Sequence, residues 1–194
     1  MGLRAIDKCS CFALLELIGK TRGSMGVGYE VSKDTTTTWL TPRPIIDSLG
    51  PFDLDPCTPE GGMPWATASR MLTPSDDGLA TPWAKDAFVW MNPPYGKNQE
   101  QWMQKMAAHG NGIALVLARM EVRWMHDHVL DHPKVQSIFF HKGRLKYCKP
   151  DGTQCAPATA GSVFIAYGSL AHERLRRAAA ECLAGRHILV NRRS

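Results

Sequence analysis

The chain has 194 residues, 44% hydrophobic and 21% charged, an ordinary globular composition with enough length for one well-buried core. No apolar stretch approaches the roughly 20 residues that cross a bilayer, and residues 11–19 are interrupted by Glu16 and lack a small-residue cleavage pattern, so a cytoplasmic protein is expected. The six cysteines (Cys9, Cys11, Cys57, Cys148, Cys155, Cys182) form no paired C-x-x-C arrangement, which points to free thiols in a reducing compartment and to no structural metal.

Residues 1–35 show no clean periodicity after Ile18, then a Gly-rich patch and the start of a Thr run. They are expected to form a loosely ordered arm ahead of one domain over residues 36–194. Order is expected to begin at Trp39-Leu40-Thr41-Pro42, followed by a short helix through Ile45, Ile46 and Leu49 that Gly50 ends. Phe52-Asp53-Leu54-Asp55-Pro56 alternates apolar and acidic residues, as a strand running into a turn does. Residues 57–83, rich in Pro, Gly, Thr and Ser, read as one long irregular stretch, and such loops in compact domains usually serve function.

The apolar run Ala87-Phe88-Val89-Trp90-Met91 predicts a buried strand, and Asn92-Pro93-Pro94-Tyr95 follows it directly. Two successive prolines fix φ near −65° and lack N–H donors, so the turn is stiff and its carbonyls point away from any ladder. A conjugated amine is a poor nucleophile because its lone pair is delocalised. An Asn oxygen and a proline carbonyl are two acceptors that can hold its hydrogens, and a tyrosine ring offers a base a stacking face. The tetrapeptide therefore reads as a catalytic turn for methylating an amino nitrogen, with an ordinary post-strand turn as the bland alternative. Asn98 and Gln101 then have capping-box spacing, ahead of an apolar stripe at Trp102, Met103, Met106 and Ala107. Strand, turn and helix in this order place the turn at the carboxyl edge of a sheet, where open α/β sheets bind ligands.

Residues 112–118 form a continuous apolar run, as in a strand covered on both faces. Residues 121–130 look helical, stopping before Pro133, and 135–140 and 162–167 are further strands separated by a turn-rich segment around Pro150-Asp151-Gly152. A final helix is expected over residues 170–183, ended by Gly185, with a solvated Arg174, Arg176 and Arg177 face. Strands alternating with helices imply a Rossmann-like α/β fold with a mostly parallel sheet flanked by helices.

The net charge of +5 is uneven: residues 1–118 hold 10 Lys/Arg against 12 Asp/Glu, and residues 119–194 hold 13 against 6. Lys142, Arg144 and Lys146, with His141, Lys149 and Tyr147 among them, form the kind of basic cluster that phosphate backbones select, unless they are merely a solvated face. Arg119 and Arg123 follow the 112–118 strand and are expected to face phosphates or guanine edges, with surface ion pairs as the alternative. His126 and His128, two apart in a helix, point to different faces and do not suggest a metal pair.

Trp39-x-Thr41-Pro42, Phe52-x-x-Asp55-Pro56, Asp77-Gly78-Leu79-x-x-x-Trp83, Asn92-Pro93-Pro94-Tyr95 and Gly143-Arg144-Leu145 stand in this order over about residues 39–168. The ordered set resembles the phage-type DNA adenine methyltransferases of the Dam family. The resemblance implies transfer of a methyl group from S-adenosylmethionine to the exocyclic amine of a flipped adenine in double-stranded DNA. Carried onto these positions, Asn92 and Pro93 supply the acceptors, Pro94 fixes the turn and Tyr95 stacks on the base. Trp39, Thr41 and Pro42 resemble the family's cofactor-edge motif, though a core Trp beside a helix start explains them too. Asp55-Pro56 would lie at the cofactor, its carboxylate balancing a cation. Asp53, two residues earlier and on the same face of a strand, is a weaker candidate. Asp77 either binds the cofactor or shapes its loop. No Gly-x-Gly follows the first strand, so contacts cannot be mapped from that loop, and Asn in place of Asp leaves dipoles to stabilise the cation formed. Methylation of adenine in RNA, methylation of a glutamine amide, and a non-catalytic nucleic-acid-binding module are the alternatives.

Overall fold

The structure, a computed structural model, describes residues 38–190 apart from Lys97 and Thr159, so the arm expected over residues 1–35 lies outside the described residues. Seven strands form one sheet in the order β2-β1-β3-β4-β8-β5-β9: β1 Leu54–Asp55, β2 Arg70–Met71, β3 Val89–Met91, β4 Gly112–Leu117, β5 Val135–His141, β8 Ser162–Tyr167 and β9 Gly185–Leu189. A separate hairpin joins β6 (Lys146–Cys148) to β7 (Gln154–Pro157). The helices are α1 Arg43–Leu49, α2 Gln99–His109, the short α3 Arg123–Met125 continued by a π turn His126–Leu130, and α4 Ser169–Glu181.

Side-chain alternation along the central strands builds a core on each face of the sheet. Along β4, Ala114 and Val116 join Met91, Met103, Met106 and Met125 under α2 and α3. Ile113 and Leu115 join Trp90, Phe164, Leu49 and Leu175 under α1 and α4. A strand sandwiched in this way needs apolar residues at every position, which is why residues 112–118 read as an unbroken run. Helix α2 buries the expected stripe of Trp102, Met103, Met106 and Ala107, and ends at Gly110, whose φ of 76° lets its N–H reach the Met106 carbonyl at 2.8 Å. The expected capping box is not formed: Asn98 occupies the N-cap without a side-chain bond.

The sheet is mixed rather than mostly parallel. The pairs β1–β2, β1–β3 and β3–β4 are parallel, whereas β4–β8, β5–β8 and β5–β9 are antiparallel. The cause lies between β5 and β8, where the chain makes the β6–β7 hairpin instead of a helical crossover, and so re-enters the sheet from the edge it left. Helix α4 then carries β9 past β5 as an edge strand, which replaces the helix end expected at Gly185. Arg174 is also not merely solvated: its guanidinium donates to the Gly50 carbonyl and lies 5.5 Å over the Phe88 ring. Among the described residues no helix is long and apolar enough to cross a membrane.

Candidate active site

Strands β1, β3, β4 and β5 run the same way, so Asp55, Asn92, Arg119 and Lys142 are all brought to one edge of the sheet, where antiparallel β8 begins at Ser162. Asn92 is half-buried there. Its side-chain Nδ2 donates to the Trp39 carbonyl at 3.1 Å and lies 3.4 Å from Thr41 Oγ1, so both amide hydrogens have acceptors, and Oδ1 meets one donor among the described residues, the Tyr95 hydroxyl at 3.5 Å. Residues 39–41 are themselves fixed by paired backbone bonds between Leu40 and Cys148 of β6, at 2.9 and 2.8 Å. Trp39 and Thr41 thus orient the Asn92 amide, a role that the sequence pattern alone did not reveal. Pro42 opens α1 and is half-buried. Pro93 is buried and Pro94 exposed, and the Pro93 carbonyl accepts no hydrogen bond from the described residues.

The Tyr95 hydroxyl stands 2.9 Å from the Tyr147 hydroxyl and 3.5 Å from Asn92 Oδ1. Tyr147, fully buried, is 3.4 Å from Ser162 Oγ and meets the Trp39 ring edge-on. Burial pushes both phenols above their ordinary range, so they stay neutral. The basic neighbours of Tyr147 made it read as part of a surface patch, yet it belongs to the site.

The loop leaving β1 is built differently. Asp55 is 4% exposed, with Oδ1 accepting the Cys57 N–H at 2.9 Å and Oδ2 the Thr67 hydroxyl at 2.5 Å. Burial raises its carboxyl from 3.8 to about 6, against the lowering effect of Thr67, the Cys57 N–H and Thr58. The buried Thr58 hydroxyl has no partner at hydrogen-bonding geometry, although it is near enough to Asp55 to hold that carboxyl down a little. A buried carboxyl displaced upward beside an unpartnered hydroxyl suits a cationic group that can donate a hydrogen bond, such as an ammonium. Pro56 is buried in the same loop.

Asp53 does not share a face with Asp55. It precedes the two-residue strand, is exposed, and accepts the Phe88 N–H at 2.7 Å, so it joins β1 to β3. Asp77 shapes its own turn: at φ 48° its Oδ1 accepts the N–H groups of Leu79 and Ala80 at 3.1 and 3.0 Å. At Gly78 a Cβ would lie 2.2 Å from the Pro56 carbonyl oxygen, so glycine lets this turn pack on the β1 loop. Lys105 of α2, absent from the sequence-based candidates, donates to the carbonyls of Gly78, Leu79 and Thr81 at 3.1, 2.6 and 2.7 Å, and sits 4.8 Å over the Trp83 ring.

Lys142 and Arg144 are exposed on the connection from β5 to β6, Lys146 is exposed at the start of β6, and Arg119 is exposed just past β4; none forms an ion pair among the described residues. Arg123 is the exception, held 3.1 Å from Asp127 as a surface pair. No group of three or more His, Cys, Asp or Glu placed to hold a metal occurs among the described residues. The sequence model of the family described as DNA N-6-adenine-methyltransferase (Dam) matches residues 29–177. No curated protein and no solved structure matches the chain.

Proposed function

From the premise that the chain belongs to the Dam family of DNA N-6-adenine-methyltransferases, we propose that Asn92-Pro93-Pro94-Tyr95 carries out its reaction on adenine flipped out of double-stranded DNA. The observation that carries this reading is the Asn92 amide, whose nitrogen is held by Trp39 and Thr41 while its oxygen meets only the Tyr95 hydroxyl, at 3.5 Å. Asn92 Oδ1 and the Pro93 carbonyl accept the two hydrogens of the exocyclic amine, turning the nitrogen lone pair out of conjugation with the ring. The Tyr95 ring supports the extruded base from its face. S-adenosylmethionine, when bound, supplies a methyl group on a sulfonium, which leaves as a neutral thioether when the new N–C bond forms. The nitrogen is then cationic, and the two acceptor dipoles stabilise it until one proton passes to water.

Asp55 and Thr58 hold the cationic part of that cofactor, with Pro56 shaping the loop and Trp39, Thr41 and Pro42 closing the side toward Asn92. Asp53 and Asp77 support it at one remove, through the β1–β3 joint and the 77–83 turn. Arg119, Lys142, Arg144 and Lys146 contact phosphates around the opened base pair, and Arg123 joins them on leaving Asp127.

Labelled S-adenosylmethionine offered with unmethylated duplex DNA, RNA of the same sequence and a glutamine-rich protein separates the substrate classes. Label in the duplex alone is the expected result. Label in RNA or protein with none in DNA would overturn the proposal.

A further inference from the structure

The reading of Asn92 as the amine-binding acceptor leaves a conflict inside the site. Tyr95 carries one hydroxyl hydrogen and has two acceptors near it, Asn92 Oδ1 at 3.5 Å and the Tyr147 oxygen at 2.9 Å. The first distance is at the outer limit of a hydrogen bond and the second is in the ordinary range for two hydroxyls. Tyr147 in turn has Ser162 Oγ at 3.4 Å. The three hydroxyls and the amide therefore form a row with two possible directions. In one, Ser162 donates to Tyr147, Tyr147 to Tyr95, and Tyr95 to Asn92 Oδ1, which occupies the oxygen that the target amine needs. In the other, Tyr95 donates to Tyr147 and Tyr147 to Ser162, which leaves Asn92 Oδ1 open. Both phenols are neutral, so reversal needs only hydroxyl rotation and no proton is lost.

Resting on that reading of the turn, we infer that Tyr147 is a positioning residue that takes the Tyr95 hydroxyl hydrogen away from Asn92 Oδ1, with Ser162 behind it as the final acceptor. Tyr147 is well placed for this. Strand β6, which carries it, is bonded through Cys148 to Leu40, between the two residues that hold the Asn92 nitrogen. One strand thus fixes the amide's orientation and keeps its oxygen clear. Without the Tyr147 hydroxyl, Asn92 Oδ1 is the one side-chain acceptor left to Tyr95 among the described residues, and the enzyme competes with its own substrate.

The test is a double-mutant cycle on methyl transfer to DNA with wild type, Tyr147→Phe, Tyr95→Phe, the double variant and Asn92→Ala. Tyr147→Phe is expected to lower kcat/KM for DNA about tenfold, the size of one net hydrogen bond, with cofactor affinity unchanged. Tyr95→Phe keeps the stacking ring and removes the competing hydrogen, so the double variant is expected to recover to within about twofold of Tyr95→Phe alone. A double variant as slow as Tyr147→Phe would overturn the inference, because lost packing is not rescued by a second deletion. If Tyr147→Phe does not fold, Ser162→Ala takes its place. That change forces Tyr147 to donate to Tyr95, and its loss of rate is expected to be rescued by Tyr95→Phe; no rescue overturns the inference. Full activity in Tyr147→Phe with an inactive Asn92→Ala would sink the inference and leave the proposed function standing, whereas full activity in Asn92→Ala would sink both.

Discussion

The loop after β1 and the turn after β3 leave neighbouring parallel strands at the same edge of the sheet, yet they use their polar side chains in opposite ways. Asp55 is buried and both of its oxygens serve its own loop, through the Cys57 N–H and the Thr67 hydroxyl. Asn92 is half-buried; its nitrogen is held by Trp39 and Thr41, and its oxygen has only the Tyr95 hydroxyl, at 3.5 Å. The first arrangement places a carboxylate under the strain of burial. The second leaves one end of an amide with a single long contact. A polar residue at a sheet edge is therefore read by which of its atoms lack a partner, rather than by its type.

The sharpest way to break this contrast is to truncate both residues. Asn92→Ala is expected to lower methyl transfer by about 10²–10³-fold, as loss of one preorganised transition-state partner does, while its unfolding midpoint stays near that of wild type. Asp55→Asn, besides weakening the hold on the cofactor's cationic part, should act on stability, and with a definite pH signature. The folded carboxyl titrates at about 6 against an ordinary 3.8. The native state thus keeps a proton that the unfolded chain has released, and this contribution, present below pH 3.8, is lost as pH rises through 6. The displacement corresponds to on the order of 3 kcal/mol. The stability difference between Asp55→Asn and wild type should grow in favour of the variant by that order from pH 4 to pH 7 in urea titrations. An unchanged difference would show that the carboxyl is not strained by burial.

A smaller effect is expected at Lys105, whose ammonium closes the 77–83 turn onto α2. Lys105→Met keeps the stem but takes the donor from the Leu79 and Thr81 carbonyls, the Gly78 carbonyl keeping the Trp83 indole N–H, and should cost about 2 kcal/mol in chemical denaturation. Smallest are the exposed cations of the β5–β6 connection and the start of β6. Single Ala substitutions of Lys142, Arg144 or Lys146 should weaken DNA binding alike for all sequences and reduce the slope of log affinity against log salt by about 1 each. A sequence-selective loss at any of them would mean base reading instead of phosphate contact.

Much of the central sheet was legible in the chain because β4, β5 and β8 are long enough for their burial to show as apolar runs, and α2 announces itself by a stripe at helical spacing. β1 showed through the alternation of residues 52–56, but β2 is two residues long, too short for any period, so residues 57–83 read as one loop. The edge strand β9 was hidden for another reason. Its Gly-Arg-His-Ile-Leu residues are mostly exposed, with Ile188 and Leu189 at 47% and 59%, so burial left no pattern to find. In the site, Asn92 to Tyr95 were visible because stiffness and acceptors are local properties of a tetrapeptide. The partners of that turn were not. Trp39 lies 53 positions from Asn92 and Tyr147 lies 52 from Tyr95, and only the fold brings them together. Asp53 misled because strict alternation was assumed across a strand that had not yet begun.

The most direct test of the central claim is to recover the methylated nucleoside after wild type and Asn92→Ala have each acted on unmethylated duplex DNA with labelled S-adenosylmethionine, both proteins shown to be folded. The account predicts label on the exocyclic nitrogen of adenine with wild type, and a loss of about 10²–10³-fold in the variant. Label on another base, or equal transfer by the variant, would contradict it.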